Sequence, residues 1–281
     1  LRHEVRAFQT LSDGSMVAAN RQGVYHGGPN QTHLAASSID EGSQSLAPPM
    51  MLSKGPNDRI LFGEYNSKTA HGQPVRLFVS DDRGRSFQVA RVFEGGSILH
   101  IHNLVYDAKL ACYWLLAGDH HHEPGIGRLS LDLKSFEWLV KGEQRYRAVE
   151  VFDFGDRLIY ATDSEREPNG LIVLDKSSGK VERLREFDGS CIYACRFGKH
   201  YAMTTTVEPS AVNKSRFATL WLSTNAIDWR EAYSAEKDGW NPIYFQFGSI
   251  VLPRGSSPNN TILFSGQALR GIDGTALLAK T

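Results

Sequence analysis

The sequence contains little cysteine and no long apolar run. Among its 281 residues there are three cysteines, Cys112, Cys191 and Cys195, and this odd, sparse number argues against a disulfide framework. Cys191 and Cys195 lie four apart in a strand-like run, about 13 Å at the rise of a strand, which is too far for a bridge. We expect all three to be small buried residues. No apolar run approaches the roughly 18 residues of a membrane helix, so no membrane span is predicted.

Charge of one sign is not in excess either. Lys and Arg together number 31, as do Asp and Glu, so the formal net charge is zero. A balanced chain has no electrostatic reason to bind nucleic acid, and none is predicted as a partner. The chain starts at Leu1 rather than Met, so the lack of a visible leader leaves the compartment open between secreted, periplasmic and cytoplasmic.

Helical periodicity is nearly absent, and short alternating runs separated by Gly, Asp and Asn take its place, for example at residues 76–80, 101–106 and 113–117. A Ser-x-Asp turn at Ser80 recurs about 50 residues later at Ser130, and a related Ser-x-Asn turn at Ser223 follows roughly two periods further on. A period of about 48 residues gives about six units, each with room for four strands. The sequence therefore predicts an all-β fold, a single β-propeller of about six four-stranded blades that spans residues 1–281 as one domain.

The turn at residues 80–87, Ser-Asp-Asp-Arg-Gly-Arg-Ser-Phe, resembles the Asp-box of bacterial BNR-repeat β-propellers, including sialidases and other glycoside hydrolases. Ser86 and Phe87 stand where that family has Thr and Trp. The resemblance implies a structural turn between the third and fourth strands of a blade, so Asp82, Asp132 and Trp229 are expected to be structural rather than catalytic. It also implies a carbohydrate as the partner, either an oligosaccharide or a polysaccharide.

Propeller geometry gathers distant residues. The start of each first strand and the end of each second strand open on one face, at the mouth of the central channel. First strands are expected to start near residues 4, 48, 100, 146, 191 and 241, and second strands to end near residues 20, 64, 119, 163, 208 and 267. The last repeat lacks an outer strand, which we expect residues before Val5 to supply.

Acids follow four second strands in a row, and crowded carboxylates split their pKa values as general acid–base work requires. Asp163 and Glu208 are predicted as the catalytic pair. The residues predicted to contact substrate are Glu64, Tyr65, His100, His102, Asp119, His120, Tyr146, Arg147 and Gln267. His100, His102 and His120 are weak candidates for a divalent metal, because imidazoles on neighbouring strands converge. A hydrogen-bonded channel lining is favoured over a metal, so no cofactor is required.

Three functions compete. The first is glycoside hydrolysis by the Asp163 and Glu208 carboxyl groups. The second is β-elimination on a uronate-containing glycan by a His, Tyr and Arg set, as in a polysaccharide lyase. The third is a non-catalytic propeller that binds a glycan or a protein. Trp240, which follows a Gly ahead of a first strand, is expected to present its ring to a sugar. Three sequons begin at Asn30, Asn213 and Asn259, and such short patterns are common by chance.

Overall fold

The computed structural model describes residues 5–40, 42, 44–67 and 71–280. Its strands form six sheets, and the chain is a six-blade β-propeller with very little helix, which confirms the predicted fold class. The chain divides into two compact units, Leu1–Tyr146 and Arg147–Thr281, and each unit contains three of the sheets. Among the described residues, none of the helices has the length and apolar character needed to cross a bilayer.

The first unit contains blades one to three. Blade one pairs its strands in chain order: β1 (Ala7–Thr10), β2 (Met16–Asn20), β3 (Gly23–Gly27) and β4 (Ala35–Ala36). Blade two has the order β5-β9-β8-β7-β6: β5 (Ser38–Ile39), β6 (Ser53–Lys54), β7 (Ile60–Gly63), β8 (Val75–Ser80) and β9 (Ser86–Phe93). Blade three is again in chain order: β10 (His100–Asp107), β11 (Cys112–Gly118), β12 (Gly125–Ser130) and β13 (Phe136–Lys141). Short 3-10 turns span Pro56–Asp58 and Gln144–Tyr146.

The second unit contains blades four to six. Blade four is in chain order: β14 (Phe152–Asp153), β15 (Arg157–Ala161), β16 (Asn169–Asp175) and β17 (Val181–Phe187). Blade five comprises β18 (Ser190–Phe197), β19 (His200–Thr206), β20 (Phe217–Ser223) and β21 (Arg230–Glu236), and β23 (Ser256–Ser257) extends it beside β18. Blade six contains β22 (Ser249–Val251), β24 (Thr261–Gln267) and β25 (Ala276–Lys280), and a short helix α1 (Pro242–Phe245) precedes it. The expected outer strand from residues before Val5 falls on residues 1–4, which lie outside the described residues.

The turns between third and fourth strands are built as the sequence predicted. Asp82, between β8 and β9, accepts hydrogen bonds from the Ser80 hydroxyl (2.7 Å) and from the backbone N–H of Ser86 (2.9 Å). Gly84 has φ +81°, a conformation that side chains disfavour, and the Phe87 ring is buried. Asp132, Asp175 and Asn225 accept comparable hydrogen bonds in the corresponding turns of blades three, four and five. The structural assignment of Asp82 and Asp132 is therefore confirmed.

Apolar side chains from neighbouring sheets fill the space between blades within each unit. Leu61 and Leu77 of blade two pack in one cluster with Ile101 and Leu115 of blade three. Cys195 and Phe197 of blade five lie in a comparable cluster with residues of blade six. All three cysteines are buried and none is bridged, as expected. Successive residues of one strand thus pack on opposite faces of the sheet, as Leu61 and Phe62 of β7 do in two different core clusters.

The strand starts expected near residues 146 and 241 are wrong, and the one expected near residue 48 falls ahead of β6, which starts at Ser53. The strand expected near residue 241 is β22, which starts at Ser249 after helix α1. A first strand was expected to start near Tyr146, but this residue ends a 3-10 turn in which its backbone N–H bonds the Glu143 carbonyl (3.0 Å). The corresponding first strand, β14, is only two residues long and starts at Phe152. Residues 147–151 are not strand, so Arg147 belongs to a connecting segment instead of a strand start.

Candidate functional site

Polar side chains form two separate groups, one in each unit. The group in the first unit consists of His100, His102 and Asp119, called here the His–His–Asp group. In the antiparallel pairing of β10 with β11, His100 lies opposite Gly118, so Asp119 emerges beside the start of β10. Ile101 pairs with Ala117 and Asn103 with Leu116, which leaves His102 as the extra residue of a β-bulge. A bulge re-aims a side chain, and here it sends His102 toward His100 and Asp119.

The three side chains of this group are in direct contact and almost fully buried. The Nε2 atoms of His100 and His102 are 3.1 Å apart. His100 Nε2 lies 3.1 Å from Asp119 Oδ2, and His102 Nε2 lies 3.0 Å from Asp119 Oδ1. The residues expose 2%, 1% and 3% of their surface, respectively. The convergence of the two histidines that the sequence predicted is therefore present.

The surroundings of the group fix its chemistry. His100 Nδ1 lies 3.1 Å from the backbone carbonyl oxygen of Asn66, which can only accept, so Nδ1 carries a proton. Burial alone would raise the pKa of Asp119, but the charge and hydrogen bonds of His100 and His102 hold it well below its ordinary value. Two imidazoles and a carboxylate at this spacing are compatible with a divalent metal. His120, a third candidate ligand, does not belong to this group and lies against the ring of His71.

Tyr65 and Glu64 follow β7 in blade two. The Tyr65 ring stacks on His100 with ring centroids 3.8 Å apart, so Tyr65 joins the His–His–Asp group. Glu64 is fully buried and is satisfied within its own blade. Its Oε1 accepts from Arg76 Nη2 (2.6 Å) and from the backbone N–H of Ala47 (3.0 Å), and its Oε2 accepts from Arg76 Nε (2.9 Å). A saccharide could reach Glu64 only by displacing this ion pair.

The group in the second unit consists of Arg147, Asp163, Glu165 and Glu208. Asp163 comes two residues after β15, and its backbone N–H donates to the Arg147 carbonyl (3.1 Å), which holds the two residues side by side. The Arg147 guanidinium pairs with Glu165, and its Nη2 lies 3.6 Å from Asp163 Oδ2. Arg147 and Asp163 are buried, whereas Glu208 is partly exposed. One buried cation therefore serves several carboxylates.

The electrostatics of this group separate its two predicted catalytic acids. Burial raises the pKa of the Glu208 carboxyl to about 7, and the negative charge of Asp163 adds to the rise while Arg147 opposes it. Near neutral pH a large fraction of Glu208 is therefore protonated. The guanidinium beside Asp163 stabilises negative charge there. Acid–base chemistry on a glycosidic bond requires one carboxyl group that holds its proton near neutral pH, and Glu208 meets that requirement.

A buried network of polar side chains is hydrogen-bonded to Glu208 through Ser190. Ser190, the first residue of β18, bonds the Glu208 carboxyl and receives a hydrogen bond from Asn213 Nδ2 (3.2 Å). Asn213 Nδ2 also donates to the Ser164 carbonyl (3.0 Å), and its Oδ1 accepts from Asn169 Nδ2 (2.9 Å). Asn213 is buried, so the sequon that it begins marks a structural amide.

Exposed aromatic rings lie in the segment that leads into the backbone paired with Val207, the residue before Glu208. In the segment 240–247, called here the aromatic segment, Trp240 is 63% and Tyr244 80% exposed, and Phe245 and Phe247 are also exposed. The segment leads into Gly248, whose carbonyl accepts from the backbone N–H of Val207 (2.8 Å), the residue before Glu208. The aromatic segment therefore reaches the edge of the group that contains Glu208.

Two further residues predicted to bind substrate make contacts of another kind. Tyr146 is buried, and its hydroxyl donates to Glu143 Oε1 (2.9 Å). Gln267 ends β24 opposite Ser249 of β22. Sequence reasoning missed Glu165, Ser190, Asn169 and Asn213. Glu165 could have been found, because it lies two residues after Asp163 in the acidic turn that follows β15. The local sequence pattern gives no sign of Ser190, Asn169 or Asn213. A single rim shared by the two groups stays a prediction.

Comparison with known proteins supports the fold and little more. A scan against protein-family models finds no match, and neither does a search of curated protein sequences. Among solved structures, the chain is similar to an oligogalacturonate lyase in complex with manganese, with a TM-score of 0.60 and 10% identity over 96% of this chain and 74% of the lyase. It is also similar to a protein assigned as an exo-β-1,3-galactanase from Bifidobacterium bifidum, with a TM-score of 0.54 and 11% identity over 81% of this chain and 90% of that one. A protein assigned as TolB from Agrobacterium tumefaciens gives a TM-score of 0.54 and 11% identity over 83% of this chain and 82% of that one. At these identities the likeness shows the β-propeller fold alone.

Proposed function

We propose that this β-propeller is a carbohydrate-active enzyme, a glycoside hydrolase whose catalytic residues are Glu208 and Asp163. The observation that carries the proposal is the pKa of Glu208, which burial and the charge of Asp163 raise to about 7. Glu208 can then protonate the leaving oxygen at neutral pH. Asp163, with the Arg147 guanidinium 3.6 Å away, acts as the nucleophile or as the base on a water molecule. Two carboxyl groups suffice for this chemistry, so no cofactor is required.

The aromatic segment supplies the binding surface in this proposal. Exposed Trp and Tyr rings offer flat apolar faces with little loss of side-chain freedom on binding, and sugar rings stack on such faces. Trp240 and Tyr244 are the most exposed of these rings. The segment joins the chain beside Val207, so a glycan stacked on it would extend toward Glu208. The galactanase-like and lyase-like propellers among the similar structures make a saccharide a reasonable class of substrate.

The elimination alternative fits the contacts less well. It needs an accessible histidine base with Tyr and Arg partners, but His100 and His102 expose 2% and 1% of their surface. The Tyr146 hydroxyl is engaged by Glu143, and Arg147 is paired with Glu165. A lyase mechanism would have to break these contacts before its first step. Glu208 is partly exposed and can reach a substrate as it stands, so hydrolysis requires only that the buried Asp163 be uncovered.

The test is a survey of hydrolysis on aryl glycosides and on neutral and uronate-containing polysaccharides, read by released aglycone and by new reducing ends. Glu208→Gln and Asp163→Asn should each abolish turnover on the substrate that the wild type cleaves. Glu182→Gln, which neutralises an exposed acid of β17, is the matched control and should keep full activity. Activity that survives both substitutions would refute the assignment.

The same survey separates the competing functions. Ultraviolet absorbance from an unsaturated uronate product, without net hydrolysis, would indicate elimination and contradict the proposal. Saccharide binding that is unchanged in Glu208→Gln, with no product from any substrate, would indicate a binding platform. Loss of turnover with retained binding in that variant is the result that the proposal predicts.

A further inference from the structure

The His–His–Asp group of the first unit carries a second inference that involves none of the residues assigned to hydrolysis. We propose that His100, His102 and Asp119 bind a divalent first-row transition metal ion in six-coordinate geometry. The distances between the donor atoms, the burial of the group and the paired strands that hold it support this site.

With both imidazole rings neutral, the group has too few protons for its close contacts, and either a metal ion or a second proton on an imidazole supplies the missing positive charge. His100 uses its Nδ1 proton on the Asn66 carbonyl, so in the neutral ring Nε2 presents a lone pair. That lone pair lies 3.1 Å from His102 Nε2 and 3.1 Å from Asp119 Oδ2. A neutral His102 can supply one N–H at most, so at least one of the close contacts brings lone pairs together without a proton. Buried groups of this kind are paired or coordinate metals, because an uncompensated contact in the interior is costly.

The distances fit a metal ion with ligands at right angles. With metal–nitrogen bonds of about 2.1 Å, a tetrahedral site would separate two ligand atoms by about 3.4 Å and an octahedral site by about 3.0 Å. The two Nε2 atoms are 3.1 Å apart, and each has an Asp119 oxygen at 3.0 or 3.1 Å. The N–N separation and the two N–O separations therefore match the edge of an octahedron, and the two oxygens of the single Asp119 carboxylate count as one ligand. Mixed imidazole and carboxylate ligands suit manganese, iron, cobalt or nickel, whereas calcium and magnesium prefer oxygen alone.

The ligands are held by regular structure on every side. His100 and His102 lie on β10, and Asp119 directly follows β11, its hydrogen-bonded partner. The Asn66 carbonyl fixes the orientation of the His100 ring, and Tyr65 stacks on its face. Gln144 Nε2 donates to the backbone carbonyl of Asp119 (3.1 Å) and anchors the loop. Such outer contacts set ring orientation and raise metal affinity.

The first test uses the wild-type chain with any affinity tag removed, because oligohistidine binds the same ions. After treatment with EDTA, the protein is titrated with Mn²⁺, Ni²⁺, Co²⁺ and Ca²⁺, and bound metal and melting temperature are measured. We expect one equivalent of a transition ion to bind and to raise the melting temperature, with no effect of Ca²⁺. The Co²⁺ adduct should show the weak visible absorption of a six-coordinate ion. No stoichiometric binding overturns the proposal, and the intense bands of tetrahedral Co²⁺ overturn its geometry.

The second test locates the ion. His102→Ala should weaken binding by about 100-fold or more, since the loss of even an outer-shell contact costs about 10–100-fold. The control is the double variant His121→Asn and His122→Asn, which removes two exposed imidazoles of the neighbouring loop. Asn suits His121, whose φ is +34°. Equal affinity in His102→Ala, or loss of binding in the loop variant, would move the ion to the surface and refute the proposal. Because the first test needs no substitution, a variant that fails to fold leaves the proposal testable.

Discussion

Replacing Glu208 by Gln is expected to stabilise the protein at alkaline pH while leaving its stability at acidic pH unchanged. The Glu208 carboxyl has a pKa of about 7 when folded, against an ordinary 4.5. Below pH 4.5 the Glu208 carboxyl is protonated in both the folded and the unfolded state, and Gln resembles the protonated acid. Between these values the folded state keeps a proton that the unfolded state releases, so the free energy of unfolding of the wild type falls as the pH rises. The variant has no carboxyl group at residue 208, so its free energy of unfolding does not fall in this way.

The magnitude follows from the two pKa values. One pKa unit corresponds to about 1.4 kcal/mol, so the interval from 4.5 to about 7 gives an upper limit of about 3 kcal/mol. Glu208 is partly exposed, and solvent screening reduces the expected gain to about 2 kcal/mol above pH 8. The assay is denaturant unfolding of both proteins at pH 4, 6 and 8, with Glu182→Gln as the control for a surface acid. A difference between variant and wild type that does not grow with pH would refute the electrostatic account of Glu208.

Three further substitutions test other parts of the structure. Asp82→Ala removes the hydrogen-bond acceptor of the turn between β8 and β9 and should lower the free energy of unfolding by about 1–3 kcal/mol, measured by thermal unfolding, without changing turnover. A loss of turnover in the folded variant would contradict the structural role of Asp82. Asn213→Ala removes the amide donor of Ser190 and one of the two amide donors of the Ser164 carbonyl, which keeps its bond from Asn169 Nδ2. The pH profile of turnover should shift along with a loss of about 1–3 kcal/mol in the free energy of unfolding, and an unchanged profile would show that the network does not position Glu208. Trp240→Ala truncates an exposed ring, so the melting temperature should stay unchanged while KM rises roughly tenfold. An unaltered KM would show that the aromatic segment does not bind substrate.

The ends of the second strands were predictable from the sequence. Acids were expected to follow these strands near residues 64, 119, 163 and 208, and β7, β11, β15 and β19 end at Gly63, Gly118, Ala161 and Thr206. The end of a strand is indicated locally where a run of β-branched and apolar residues stops at an acid or a glycine, because the pattern typical of a strand ends there. In blades three and five the antiparallel hairpin then places the acid beside the start of the first strand.

The partners of those acids could not be predicted. Arg76 lies within β8, a largely apolar run that gives no local sign of an ion-pair partner, yet its guanidinium is buried against Glu64. The bulge that aims His102 at Asp119 depends on register, and register is a property of two strands together. Asn213 looked like a glycosylation signal because its environment comes from residues that are distant in sequence. Burial and long-range hydrogen bonding determine the roles of these residues, and neither can be predicted from a local sequence pattern.

The protonation state of Glu208 is the most direct test of the proposed chemistry. Its side-chain carboxyl carbon can be followed by NMR in protein labelled at glutamate, with Glu208→Gln used to assign the signal. The account predicts an apparent pKa of about 7 in the wild type and a lower value in Asp163→Asn, because that substitution removes a negative charge and leaves Arg147 in place. A midpoint near the ordinary 4.5 in both proteins would contradict it.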